Sequence, residues 1–300
     1  MLRKGLALLL VFFILNSYAE EVFKPYTLAL ETTEAISTVK SKLNASLTAN
    51  NFSLVGAYQP AGDANRWVII VTHKDLTKAV QQISGLTGFA STLRIALTRE
   101  QQATLVTYTT PEYWARAYFT EYFDAVESHI TKVSSSFEAL FATMLGYKKE
   151  PFGSKKGLDA DDLEDYNYMM GMPKFDDTEE LAEYNSHEDA LKKIDANLKD
   201  GVANVMMVYS YSVPGKKLTL YGFALSGETG EAQFLPKIDL NTPRHTAFLP
   251  YEVLVENGKV LMLHGRFRIA LSFPDLTMGT FTKIMSTPGD IEDLLRSAVN

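Results

Sequence analysis

The chain has 300 residues, of which 46% are apolar and 22% are charged, and its formal net charge is −7. This length exceeds one ordinary domain and fits two, and the composition is that of a globular chain. The negative charge argues against a nucleic-acid partner, because binding a phosphate backbone needs a basic face. The chain contains no cysteine, which excludes disulfides, thiolate metal sites and a cysteine nucleophile.

Residues 1–19 have the features of a secretory signal peptide. Arg3 and Lys4 precede an apolar stretch, 6–15, that is too short to span a bilayer. Ser17 and Ala19 then provide the small residues of a cleavage site. The pattern predicts a periplasmic mature protein with no membrane attachment after signal removal, and an uncleaved anchor is the alternative.

Residues 20–125 are predicted to form a first α+β domain. Apolar residues recur at helical spacing in some stretches and in short continuous or alternating runs in others. Thr110-Pro111 indicates a helix start, since proline is tolerated at the first helical position. The predicted order is helix 32–50, strand 52–58, strand 67–71, a helix ending at Gly85, the hairpin 93–108, and a helix from Pro111.

Residues 126–185 are predicted to form a helical and acidic connector. The helical stripe continues towards Gly146, and twelve acids then lie between Asp159 and Asp189 against one lysine. The connector also contains tyrosines and methionines between Tyr166 and Met172. Because such side chains are rare in free linkers, we expect the connector to pack on the domains.

Residues 186–300 are predicted to form a second α+β domain. Ser186 and Asp189 fit a capping box at a helix start. Strands 205–213 and 218–225 follow, then a polar insertion, 226–248. Asn257-Gly258, between two apolar strands, is the strongest short hairpin signal.

The second strand of this hairpin is predicted to continue past a bulge at Gly265. Arg266 and Arg268 alternate with Phe267 and Ile269, which places both arginines on one strand face. Pro274 would end the strand. The same order of elements thus occurs twice, namely a helix, a strand pair, a variable segment, a hairpin and a helix. This repeated order predicts an internal duplication.

Three stretches resemble domain-of-unknown-function family 302, the TT1751-like fold. They are Ile36 to Tyr58, the hairpin end Val106-Thr-Tyr-Thr-Thr-Pro-Glu-Tyr113, and Leu249-Pro-Tyr-Glu-Val-Leu-Val255. The resemblance implies two tandem TT1751-like domains, each an antiparallel sheet with helices packed on it. The family's histidine after the first strand has no counterpart near Gln59-Pro60. The family carries no assigned activity, so the resemblance implies a fold and self-association but no chemistry.

Basic residues gather in the second domain of this acidic chain and predict a pocket for an anionic ligand, since guanidinium groups suit carboxylates and phosphates. The residues of this predicted site are Arg244, His245, His264, Arg266 and Arg268. The alternative is that the arginines pair with the protein's own acids, such as Asp239, Glu252 and Asp275.

A copper site is a second hypothesis, because thioether and imidazole groups bind copper. Met169, Met170 and Met172 are clustered, and His187 lies downstream, but the spacing is not a diagnostic ligand motif. Methionines beside tyrosines also serve as packing material.

No motif of a serine hydrolase, a zinc peptidase or a phosphate-binding loop is present. We therefore expect a non-enzymatic binding or accessory protein, with a small anionic ligand or a protein partner and no predicted cofactor. A hydrolase or isomerase that uses histidine, Glu252 and arginine in the second domain is the alternative. The sequence leaves a homo-oligomer open.

Overall fold

The computed structural model describes residues 21–300. They form an α+β fold with two antiparallel sheets, one of six strands and one of five, and helices packed on them. The predicted fold class is confirmed at this level. The predicted signal peptide lies outside the described residues. Within residues 21–300, no helix is long and apolar enough to cross a membrane.

The N-terminal half supplies the six-stranded sheet and the helices on it. Helix α4, the longest of them, buries Val126, Ile130, Val133 and Phe137 along one face, as its helical spacing requires. In chain order the elements are β1 (Tyr26–Thr32), α1 (Ile36–Leu47), β2 (Phe52–Tyr58), β3 (Arg66–His73), α2 (Lys74–Ile83), β4 (Leu93–Glu100), β5 (Ala103–Thr109), α3 (Pro111–Phe119), α4 (Phe123–Ala142) and β6 (Tyr147–Phe152).

The C-terminal half supplies the five-stranded sheet. Ser186 caps α6 by accepting a hydrogen bond from the Asp189 amide, as the predicted capping box requires. The elements are α5 (Ala160–Glu164), β7 (Thr178–Glu183), α6 (His187–Asp200), β8 (Val205–Ser212), β9 (Leu218–Leu225), α7 (Glu231–Ile238), β10 (Tyr251–Glu256), β11 (Lys259–Leu263), α8 (Gly265–Ser272), α9 (Met278–Thr282) and α10 (Thr287–Val299).

The two sheets have the same strand order. It is β2-β3-β4-β5-β1 in the first sheet, with β6 added at the edge, and β8-β9-β10-β11-β7 in the second. The register shifts also fall at matching places. Val55 in β2 and Val208 in β8 are unpaired, and so are Ala29 in β1 and Leu181 in β7. Strand order and register therefore assign each strand of one sheet a counterpart in the other.

The predicted connector, 126–185, contributes to both sheets. Its strand β6 pairs with β1, and its strand β7 pairs with β11. Both are edge strands with polar sequences, so the sequence gives no strand signal for them. The predicted polar insertion, 226–248, likewise contains a helix, α7.

The hairpin at Asn257-Gly258 is confirmed, with Glu256 paired to Lys259. Its turn is not the type I′ turn that Asn-Gly hairpins favour, because that type needs a positive φ at both central residues, and Asn257 has φ 58° while Gly258 has no positive φ. Glycine is needed at 258 for space, since a Cβ there would collide with the Tyr184 carbonyl oxygen. Tyr184, which directly follows β7, also donates its backbone N–H to the Gly258 carbonyl oxygen at 2.9 Å.

The prediction of a strand through Arg266 and Arg268 is wrong. The second hairpin strand ends at Leu263, and helix α8 begins at Gly265. His264 caps this helix, because its Nδ1 accepts a hydrogen bond from the Arg266 amide at 3.1 Å. On a helix, residues two apart point to different sides, so the two arginines do not share a face.

The two halves pack reciprocally. The 3-10 segment 85–91, before β4, packs on β9 and β10, and the segment 246–248, before β10, packs on β3, β4 and β5. The edge strands β2 and β8 meet at Gly56, where an added Cβ would lie 2.7 Å from the Val208 carbonyl oxygen and 2.9 Å from the Tyr209 Cβ. Glycine therefore permits this close approach of the halves.

We expect Gly56→Ala to lower the free energy of unfolding by about 2 kcal/mol, since the methyl group meets backbone that cannot move without shifting a sheet. Gly289→Ala is the matched control, because nothing lies within 4 Å of that position in α10. The control should stabilise the protein by up to about 1 kcal/mol. Urea denaturation of both variants checks this prediction, and equal effects of the two substitutions would contradict it.

Candidate functional site

The five predicted site residues do not form one cluster. Arg268 and His245 are buried, whereas Arg266 is exposed. Arg244 lies in a separate depression at the junction of the halves, beside Arg66, and His264 caps α8. The structure thus separates the buried Arg268 and His245 from the exposed Arg266.

Arg268 is held inside the protein by hydrogen bonds to four groups. Its Nη1 donates to Glu252 Oε2 at 3.1 Å and to the Tyr118 hydroxyl at 2.9 Å. Its Nη2 donates to the carbonyl oxygens of Phe248 at 2.7 Å and Pro250 at 3.2 Å. This geometry matches the internal pairing with Glu252 that the sequence left open as the alternative to ligand binding.

Glu252 also binds Arg94 and Thr92 of the N-terminal half and Tyr209 of its own half. Arg94 forms an ion pair with it, and the Tyr209 hydroxyl donates to it. The Thr92 hydroxyl donates to Glu252 Oε1 at 3.3 Å. Arg94 in β4 and Glu252 in β10 occupy equivalent positions in the two sheets. Arg94 is paired with Ile70, whose partner in β2 follows the bulge at Val55. Glu252 is paired with Gly222, whose partner in β8 follows the bulge at Val208. One buried carboxylate therefore joins the halves.

His245 is a buried structural residue. Its ring stacks on Phe273, with centroids 4.7 Å apart, and lies 5.0 Å from the Tyr26 ring centroid. Its Nδ1 is 3.1 Å from the Ser272 carbonyl oxygen, and burial lowers its pKa. The small void beside Glu252 is not lined by His245, so the geometry offers little support for an enzyme that combines the two.

Asp239 fixes the loop that carries Arg244 and His245. One carboxylate oxygen accepts from the His245 amide at 2.7 Å, and the other pairs with Arg66 Nη1 at 2.5 Å. The Arg244 guanidinium donates to the Asp239 carbonyl oxygen. These contacts account for Arg244 and His245 without a ligand.

Ser136, His73 and Asp75 resemble a hydrolase triad, which no sequence motif indicates. His73 Nε2 lies 3.1 Å from the Ser136 hydroxyl, and His73 Nδ1 lies 3.9 Å from Asp75 Oδ2. However, Nδ1 accepts the Asp75 amide hydrogen at 3.1 Å, so the proton of the neutral ring sits on Nε2. His73 therefore donates to Ser136 and cannot act as its base.

Arg266 lies at an apolar groove that the sequence did not predict. No carboxylate of the described residues lies within 4 Å of its guanidinium. The groove has a volume of about 220 Å³. Its lining, here called the methionine groove, consists of Tyr168, Met169, Met172, Arg266, Ala270, Leu276, Met278, Phe281, Thr282 and Met285.

The methionine groove is open to solvent. Met169, Met278 and Met285 are 48%, 54% and 59% exposed. Its wall is fixed by the Tyr168 hydroxyl, which donates to the Leu276 carbonyl oxygen at 2.9 Å. The groove brings together residues of the connector, α8 and the α9 region, which are up to 117 positions apart in the sequence. Only Arg266 of the predicted site lies in it.

A larger cleft of about 670 Å³ has the opposite charge. Its wall contains Tyr118, Tyr166 and Phe175, and its carboxylates outnumber its one lysine, Lys174. The acids that line it are Glu121, Glu164, Asp165 and Asp176. Such a wall repels anions, so the cleft does not fit the predicted ligand.

The described residues contain no group of three or more histidine, aspartate or glutamate side chains that could hold a metal ion. His187, the histidine of the copper hypothesis, instead places its Nε2 3.1 Å from the Thr219 hydroxyl. It does not line the methionine groove. A combined methionine and histidine site is therefore not assembled within residues 21–300.

Comparison with known proteins finds a partial structural likeness. No protein-family model matches the chain, and no curated protein matches it. The crystal structure of an uncharacterised conserved protein of domain-of-unknown-function family 302 from Bacillus stearothermophilus is similar in part. The likeness has a TM-score of 0.34 at 10% sequence identity, and it covers 39% of this chain and 95% of that chain.

Proposed function

We propose that this is an exported, periplasmic binding protein that takes an apolar carboxylate in the methionine groove. The carrying observation is the uncompensated guanidinium of Arg266 at an otherwise apolar groove. Ligand sites are commonly apolar hollows with a few polar groups that orient the ligand, and the groove has this composition, unlike the acidic cleft. A cavity of about 150 Å³ holds benzene, so 220 Å³ accepts an aryl or short alkyl group.

Two tandem domains of the family 302 type, derived by duplication, are part of this proposal. The shared strand order and the matching bulges support it. On this account the groove is an elaboration of the second half, because α9 and the connector methionines have no counterpart in the first.

We expect octanoate to bind the wild-type protein. Arg266→Ala should weaken the affinity for octanoate about tenfold, since one charge-assisted contact contributes about 1.5–3 kcal/mol. Octanol, which lacks the charge, should bind both proteins alike. Isothermal titration calorimetry measures all four affinities. Lys192→Ala, which removes an exposed cation from α6, is the matched control and should leave octanoate affinity unchanged.

Equal octanoate affinities for wild type and Arg266→Ala would contradict the role of Arg266. Absence of binding by octanoate, phenylacetate and octanol alike would contradict the groove as a small-molecule site. Binding of an acidic, apolar peptide with no binding of the small carboxylates would assign the groove to a protein partner instead.

Cu(I) is the second candidate ligand, because Met169, Met172, Met278 and Met285 present four soft thioethers to one groove. The positive charge of Arg266 opposes a cation there. Removal of this charge should therefore strengthen Cu(I) binding while it weakens octanoate binding. A competition titration with a Cu(I) chelator on wild type and Arg266→Ala distinguishes the two ligands.

A further inference from the structure

Two buried guanidinium groups share one carboxylate at the junction of the two halves. Arg94 and Arg268 are 1% and 3% exposed, and the carboxylate that contacts both is that of Glu252. The nearby buried acids are engaged elsewhere. Asp239 pairs with Arg66, and Glu231 accepts from the Tyr58 hydroxyl and two backbone amides. The two guanidinium groups therefore have one directly paired carboxylate between them, and a buried charge without a partner of its own is costly in a low-dielectric interior.

Glu252 cannot satisfy Arg94 fully. Its two oxygens already accept from Arg268, Tyr209 and Thr92. Nε and Nη2 of Arg94 make no hydrogen bond, although Nη2 is ion-paired with the carboxylate. Buried guanidinium donors without acceptors are rare, and an ion or water commonly accounts for them.

A small void adjoins this guanidinium. It is about 10 Å³ and is lined by Arg94, Thr92, Trp114, Tyr118 and apolar side chains, with no carboxylate in its wall. The Tyr118 oxygen accepts from Arg268, so its own proton can be donated. A void of this size admits one water molecule or one monatomic ion.

We infer that the void beside Arg94 is a binding site for one small monovalent anion of chloride type. Arg94 and the Tyr118 hydroxyl supply the donors, and the anion neutralises the excess charge of the two guanidinium groups. A water molecule could accept the same hydrogen bonds but would leave the two guanidinium groups with one shared carboxylate. The site is separate from the methionine groove, and its role is to stabilise the junction of the halves.

The test compares sodium chloride with sodium gluconate at equal ionic strength, because gluconate is too large for the void. Wild type should melt at a higher temperature in chloride, and the difference should grow with the logarithm of chloride concentration. Tyr118→Phe should weaken chloride affinity about tenfold. Arg94→Met should abolish the difference, and it should still fold because Glu252 keeps Arg268, Tyr209 and Thr92 as partners.

Anomalous diffraction from crystals grown in bromide locates the ion directly. A bromide peak within hydrogen-bond distance of Arg94 Nε supports the site. Equal melting in chloride and gluconate, without a bromide peak at Arg94, would show that the void holds only water and would overturn the inference. A chloride effect that survives in Arg94→Met would place the anion elsewhere and would overturn it as well.

Discussion

Glu252→Gln should lower the free energy of unfolding by about 3–5 kcal/mol, because it removes the charge of the carboxylate that two buried guanidinium groups share. Glu252 is 5% exposed and binds Arg94 and Arg268 from opposite sides of the junction. Urea denaturation followed by tryptophan fluorescence measures the loss. Glu180→Gln is the control, since its pair with Lys259 is exposed and should contribute less than about 1 kcal/mol.

A double-mutant cycle separates the ion pair from general damage to the core. Arg94→Met removes one of the two cations, so it should recover part of the stability that Glu252→Gln loses. A Glu252→Gln variant that loses no more stability than Glu180→Gln would contradict the buried centre. Strict additivity of Glu252→Gln and Arg94→Met would contradict their direct coupling.

Glu231→Gln should stabilise the protein at pH 8 by about 3 kcal/mol and have little effect near pH 4.5. Burial raises the pKa of the Glu231 carboxyl from 4.5 to about 7, and the hydrogen bonds from Ala61, Tyr58 and Leu225 only partly oppose this. The folded state therefore binds the proton more tightly than the unfolded chain. Its contribution to stability is lost as pH rises from about 4.5 to about 7.

Denaturation of wild type and Glu231→Gln at both pH values checks this result. The comparison between variants is needed because burial lowers the pKa of His73, His187 and His245, which gives the opposite pH slope. Glu228→Gln, exposed just before α7, is the matched control and should show no such dependence. A Glu231→Gln effect of equal size at both pH values would contradict the raised pKa.

Local signals predicted several elements correctly. Asn257-Gly258 marked the hairpin, Ser186 with Asp189 marked the start of α6, and Pro111 marked the start of α3. Each depends on residues within a few positions, where backbone preference and capping decide the structure. The repeated order of elements also agrees with the shared strand order of the two sheets.

The run around Arg268 was misinterpreted because α8 is short and buried on nearly every side. Phe267, Ile269, Ala270 and Leu271 are all buried, so the helix shows no polar face that would reveal its period. Over so few residues, alternation cannot distinguish a buried helix from a strand. The capping role of His264 was the missed signal.

The site could not be predicted because tertiary packing assembles it. Met172 and Met285 meet only after the connector folds against the α9 region, and no local pattern relates them. The same holds for Arg94 and Glu252, which are 158 positions apart and become partners through the packing of the halves. The concentration of arginines in the sequence pointed to Arg266 and Arg268 alike, and it could not separate the exposed Arg266 from the buried Arg268.

The most direct test of the proposed function is NMR of protein with ¹³C-methyl-labelled methionine during titration with octanoate. The chain has ten methionines, and Met206, Met207 and Met262 lie outside the methionine groove and serve as internal controls. We predict saturable shifts of the Met169, Met172, Met278 and Met285 methyl signals, with the controls unmoved and with no response to octylammonium. Unchanged groove signals, or equal shifts of the control methionines, would contradict the proposal.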